Sequence, residues 1–76
     1  YKKGILVNDV KNNTPAKKAG IMRGDIVLKY NGKSVRNIKN FQSMVADTQA
    51  GKKIRIDVIR NRLEKSFLVT IGELTF

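Results

Sequence analysis

Thr14-Pro15-Ala16-Lys17-Lys18-Ala19-Gly20-Ile21-Met22-Arg23-Gly24-Asp25-Ile26-Val27-Leu28-Lys29-Tyr30-Asn31-Gly32 reads as a helix, a turn, a strand and a second turn in succession. Thr14 is suited to cap a helix, because its hydroxyl accepts a bond from a free N–H of the first turn. Pro15 suits the first helical position, where its missing N–H is no loss. Gly20 takes the left-handed conformation that ends a helix. Gly24-Asp25 turns the chain into the apolar run Ile26-Val27-Leu28, and Asp25 is expected to bond backbone N–H groups in that turn. Asn31-Gly32 signals a tight turn, since both residues tolerate positive φ.

Before this stretch, residues 5–10 read as a strand whose clustered apolar residues Ile5-Leu6-Val7 predict burial on both faces or nearly so. After it, Ser34-Val35 predicts a very short strand. Asn37 is an N-cap for a helix over 38–48 that ends at Ala50-Gly51. Ile38, Phe41, Met44 and Val45 fall at spacings of three and four, along one side of that helix. Ile54, Ile56 and Val58 alternate with Arg55 and Asp57, as a half-buried strand requires. Phe67, Val69 and Ile71 alternate in the same way, and residues 61–64 connect the two strands as a turn. Strands outnumber helices, which predicts a small α+β sandwich or partly open barrel of about 4–5 strands with two helices covering its ends.

The segment TPAKKAGIMRGDIVLKYNGKSV, residues 14–35, resembles the central part of bacterial PDZ domains. Gly4–Val10 then corresponds to the strand before it, Ile38–Thr48 to the long peptide-groove helix, and Lys52–Gly72 to the closing hairpin. ADTQAGKKIRIDVIR and LVTIGEL are most similar to the PDZ domains of HtrA/DegP-type, trypsin-like serine proteases. The resemblance implies the permuted bacterial topology, with the peptide-binding strand first and the final hairpin strand closing the sheet. Two departures stand out. Arg62 occupies a turn position where family members often have Gly. The strand that pairs with peptide, and the loop that holds a peptide's terminal carboxylate, are expected before Tyr1. On that reading residues 1–76 are a single PDZ-like domain, an N-terminal truncation of a larger protein.

A chain of 76 residues allows one small domain. Folding at this size buries only about 60–65% of the unfolded chain's surface, so stability is expected to be modest. Cysteine and histidine are both absent, which excludes disulfides, thiolate sites, Ser-His-Asp arrangements and the usual zinc ligands within these residues. Asp9, Asp25, Asp47, Asp57, Glu64 and Glu73 form no sequence pair suited to acid/base work. Ser34, Ser43 and Ser66 have no histidine to activate them. No Gly-rich phosphate loop is present, and no cofactor is implied. The net charge is +10, from 16 Lys+Arg against 6 Asp+Glu. Such a balance attracts anions, nucleic acid among them. The cations are spread through every element and the aromatics are scattered, a pattern that predicts a solvated basic surface and no base-stacking platform.

Binding is therefore the expected activity, and catalysis by this chain is not. PDZ-like domains take a peptide as an added strand between a sheet edge and a helix. Ile38, Gln42 and Val45 share one helical stripe and Phe41 and Met44 the next. By residue pattern alone Ile38 and Val45 suit groove and core equally. The resemblance implies a peptide-binding groove of Ile38, Phe41, Gln42 and Val45. It also implies partners: C-terminal or unfolded hydrophobic peptides and the protease domain of the same chain, without nucleic acid, cofactor or metal. The parent is then an extracytoplasmic serine endopeptidase of the bacterial periplasm or envelope. Alternatives are the PDZ module of a site-2 membrane protease or secretion component and, from another class, a small basic nucleic-acid-binding domain. An unpaired strand edge is also expected to favour strand-exchanged self-association, or to recruit the tail Leu74-Thr75-Phe76.

Overall fold

The computed structural model describes residues 4–72. Seven elements follow one another: β1 (Ile5–Leu6), α1 (Pro15–Ala19), β2 (Ile26–Tyr30), β3 (Lys33–Ser34), α2 (Ile38–Ala46), β4 (Lys53–Arg60) and β5 (Leu63–Thr70). The five strands form one open antiparallel sheet in the order β1-β2-β4-β5, with β3 folded back onto β2. The expected α+β class, strand number and two helices all appear. The tail Leu74-Thr75-Phe76 and the segment before Gly4 lie outside the described residues.

Local chemistry explains the boundaries. The Thr14 hydroxyl accepts the Lys17 N–H at 3.3 Å and itself donates to the Lys11 carbonyl at 2.8 Å. Pro15 occupies the first turn, and Gly20 closes α1 at φ 107°. Asn37 caps α2 by accepting the Asn40 N–H at 2.8 Å. Asn31 and Gly32 both have positive φ, 51° and 84°, in the two-residue turn between β2 and β3. The turn between β4 and β5 is shorter than 61–64: only Asn61 and Arg62 lie between the strands, with φ 52° and 67°. The other differences are small. Asp47 caps α2, so the helix stops at Ala46 and short of Thr48. The third strand is Lys33–Ser34, one residue earlier than expected.

The core gathers Ile54, Ile56 and Val58 of β4 with Val69, Ile71, Val27, Ile21 and Val35. In β4 the alternation is kept, and Val69 opposes Ile54 while Phe67 opposes Ile56. In β2 it is broken. A bulge at Leu28 shifts the register between Val27↔Val58 and Lys29↔Asp57, so Val27 and Tyr30 both face inward, three residues apart. Tyr30 then meets Phe41 of α2 edge to face, with ring centroids 5.8 Å apart. The Thr48 hydroxyl donates to the Met44 carbonyl at 2.8 Å, which leaves it to accept from the Tyr30 hydroxyl at 2.6 Å. The C-terminal half of α2 is thereby fixed to the sheet.

β1 corrects the expectation most clearly. Only Ile5 and Leu6 lie in the ladder, opposite Val27 and Ile26, and backbone bonding continues one residue further through Val7 to Asp25 and Gly24. Leu6 is 56% exposed, where burial on both faces was expected. The apolar run faces the core through Ile5 and Val7, while Leu6 lies on the opposite face of the pleat.

Candidate functional site

β1 is the terminal strand of the sheet, and its outer edge is unpaired among the described residues. Val7 turns its N–H toward the Asp25 carbonyl at 2.8 Å. Because an antiparallel strand alternates its bonding direction residue by residue, the N–H and C=O of Leu6 point away from β2, toward that edge. Between this edge and α2 lies an apolar cavity of about 350 Å³, floored by Val27 and Ala16 and walled by Ile5, Val7, Ile38 and Phe41. A second, more open cavity of about 590 Å³ joins it through Ile5, Leu6, Asn8 and Ile38. It ends at Arg36, Asn37 and Lys39, at the start of α2. The two ends of the depression differ in charge: Asp9 stands beside the apolar cavity, and two cations stand at the other end.

The four residues expected in a groove occupy different environments. Ile38 is 58% exposed and lines both cavities. Phe41, one helical turn on, lines the apolar cavity from within the core. Val45 is half-buried and packs on the core, and Gln42 is exposed. Neither of these two lines the two cavities. The structure also brings in β1 and the rim cations Arg36 and Lys39, which pattern reasoning left out. Those cations flank Ile38 in the sequence at −2 and +1, a signal that helical spacing does not weigh.

Behind the site, Asp25 is the most buried polar residue, with 1% exposure. It accepts the Met22 N–H at 3.0 Å, as the turn reading expected. It also receives a fork from Arg60 of β4: Nε to Oδ1 at 2.7 Å and Nη2 to Oδ2 at 2.7 Å. Nη2 donates further to the Gly20 carbonyl at 2.8 Å, and the guanidinium lies 5.2 Å from the centre of the Phe67 ring. The Arg60 hydrogen bonds hold the Asp25 carboxyl below its ordinary pKa, against the burial that would raise it. Asp25 and Arg60 are 35 residues apart in sequence, so spacing carries no sign of the pair.

The candidate site is thus an edge strand, unpaired among the described residues, with an apolar depression between it and α2. This chain belongs to the PDZ domain family, whose model matches residues 1–71. Its similarities lie among proteases. It is 36% identical over 61 residues to the "Probable periplasmic serine endoprotease DegP-like" of Rickettsia prowazekii (strain Madrid E), a match covering 80% of this chain and 12% of that protein. It superimposes on the serine endoprotease from Yersinia pestis with a TM-score of 0.89 and 35% identity, over 95% of this chain and 26% of the other. It superimposes with a TM-score of 0.82 and 28% identity on the HtrA3 PDZ domain bound to a phage-derived ligand (FGRWV), over 92% of this chain and 64% of that one. The chain spans 12% and 16% of the length of two of its serine-protease relatives, and the part it matches is a PDZ domain.

Proposed function

We propose that this chain is the peptide-recognition module of an HtrA/DegP-type extracytoplasmic serine protease, with catalysis supplied by another domain of the parent protein. The observation that carries this reading is the apolar cavity between β1 and α2, walled by Ile38 and Phe41, in a chain that belongs to the PDZ domain family. An extended segment entering between the sheet and α2 drops an apolar side chain into the cavity, its backbone bonded by the strand expected before Tyr1. The nine residues of α2 span about 13 Å, which accommodates four residues of extended peptide. A peptide of that length passes Ile38 and Phe41 first, then Gln42 and Val45. The parent would use the contact to hold hydrophobic or C-terminal segments of misfolded proteins near its protease domain. The serine-protease relatives, one of them named periplasmic, support that assignment and an extracytoplasmic location.

Titration calorimetry tests it. A peptide ending in an apolar residue should bind with a dissociation constant of roughly micromolar or weaker, since strand addition buries little surface. Ile38→Glu should remove the binding while circular dichroism stays unchanged. A duplex DNA titrated in parallel should bind more weakly and lose what binding it has as salt rises. Absence of peptide binding to both the 76-residue chain and the full-length protein would overturn the reading.

A further inference from the structure

The two helices lean on the sheet in different ways. α1 packs closely along β5, whereas α2 stands off from the sheet and reaches it through side chains. Two of those links meet at one residue of β2. The Tyr30 hydroxyl donates to Thr48, in the turn after α2, at 2.6 Å, and the Tyr30 ring meets Phe41 with an interplanar angle of 87°. Thr48 passes the first link into the helix by donating to the Met44 carbonyl at 2.8 Å. Phe41 carries the second to the apolar cavity, which it walls together with Ile38.

Tyr30 is itself firmly held. Its backbone pairs on both sides, with Lys33 of β3 and Ile56 of β4, and the residue is 4% exposed. The bulge at Leu28 is what turns it inward. With an unbroken two-residue period, Val27 and Lys29 would share the inner face and Tyr30 would lie on the other. The irregularity in β2 thus delivers one ring and one hydroxyl to α2. The hydroxyl bond is also one that can open. Tyr30 and Thr48 line a polar depression of about 410 Å³ with Asn31, Lys33, Asp47 and Lys52, where water can take up either hydroxyl.

We propose that Tyr30 is a positioning residue for the groove: the Thr48 bond seats the far end of α2 on the sheet, the Phe41 contact fixes the back wall of the apolar cavity, and only the seated helix presents that cavity at the width a peptide needs. The inference rests on the peptide-binding reading above. Tyr30 lines neither groove cavity, so it acts through α2 and not by touching the peptide. Affinity then follows the fraction of molecules in which the helix is seated.

The test compares Tyr30→Phe, which keeps the ring against Phe41 and removes the hydroxyl, with Thr48→Val and Thr48→Ser. Calorimetry on the full-length protein, with a peptide ending in an apolar residue, reads the affinity. Tyr30→Phe and Thr48→Val should each weaken binding about threefold to tenfold, and Thr48→Ser, which keeps a hydroxyl, should leave it intact. Tyr30→Phe combined with Thr48→Val should bind no more weakly than the poorer single variant, because both remove the same bond. Ile59→Val is the control for stability alone, since Ile59 is buried in β4 outside the core cluster that holds Phe41. It should destabilise the fold about as much as Tyr30→Phe does and leave the affinity unchanged. A second readout needs no peptide. The Ile38 methyl signals in NMR spectra of the 76-residue chain should shift or broaden in Tyr30→Phe and stay in place in Ile59→Val. Unchanged affinity and unchanged Ile38 signals in Tyr30→Phe would overturn the positioning role while the groove stands. Equal weakening by Ile59→Val would reduce the effect to stability and overturn the role as well. A full-length protein that binds no peptide at all would remove the groove reading, and the role with it.

Discussion

Around Asp25 each polar group has a partner: two from Arg60, one from Met22, with Gly20 accepting the remaining guanidinium bond. Along β1 the arrangement is the reverse. Leu6 turns its backbone groups to an unpaired edge, Leu6 and Ile38 are more than half exposed, and two cations stand without acidic partners among the described residues. Both regions lie in one chain of 76 residues, a length for which about 4–11 kcal/mol of total stability is ordinary. The contrast separates two uses of polar and apolar groups. At Asp25, satisfied polarity joins three segments distant in sequence. At β1, backbone groups and apolar surface are left uncovered by the described residues.

The largest expected effect comes from breaking the closed region. Arg60→Ala leaves the Asp25 carboxylate in its buried site without its fork. Removing one member of a buried pair is far more costly than the pair's net contribution. Arg60 retains some solvent contact, with 23% side-chain exposure, so the expected loss is about 2–4 kcal/mol, a large share of the total. Chemical denaturation at pH 7 measures it, and a loss below about 0.5 kcal/mol would show that solvent already satisfies Asp25. The same pair sets an acid dependence. The folded-state pKa of Asp25 is depressed, so its stabilising contribution is complete above the unfolded value of about 3.9 and is lost as pH falls from there through the lower folded value. Asp25→Asn should remove that part of the slope below about pH 4. An Asn variant with an unchanged acid slope would assign the dependence to other carboxylates.

The open region should respond in the opposite manner. Ile38→Ala trims a side chain that is 58% exposed at the start of a helix, so stability should move by no more than about 0.5 kcal/mol. Peptide affinity should fall about tenfold, because the lost side chain is one that binding would bury. Phe41→Ala, one turn along, should cost about 3 kcal/mol, since Phe41 belongs to the core and packs on Tyr30. If Ile38→Ala destabilised the fold as much as Phe41→Ala, the division between groove wall and core would be wrong.

How far each region can be read in the sequence follows from the range of the interactions involved. Thr14, Pro15, Gly20 and Asn37 act on backbone groups within four residues of themselves, and all four occupy the positions their chemistry predicts. The alternation in β4 was legible because β5 pairs with it residue for residue, without a shift. β1 was misread because Ile5-Leu6-Val7 is apolar throughout, and composition does not say which face of an edge strand is covered. The bulge at Leu28 removes the two-residue period in β2, and only the pairing with β4 reveals it. The Asp25–Arg60 pair, and the lining of one cavity by β1 together with Arg36 and Lys39, depend on tertiary arrangement across many residues, for which spacing has no signal.

The smallest effect should come from the two tight turns, which solve one geometric problem with different residues. Asn31-Gly32 and Asn61-Arg62 both place two consecutive residues at positive φ, the conformation that matches the twist of the flanking strands. Gly32 adopts it without steric cost. Arg62 adopts it at φ 67° with a Cβ that crowds the following carbonyl, a strain of about 1–2 kcal/mol. Glycine also has more freedom to lose on folding, by roughly 0.5–1 kcal/mol, and this offsets part of the relief. Arg62→Gly should therefore stabilise the domain by about 0.5–1 kcal/mol, and Gly32→Arg should destabilise it by a similar amount. Denaturation midpoints of the two variants, measured side by side, check the pair. Opposite shifts of similar size would show that the β4–β5 turn is held in the left-handed region by its strands despite Arg62. A loss of stability in Arg62→Gly would mean that the arginine side chain contributes a contact of its own, which outweighs its backbone strain.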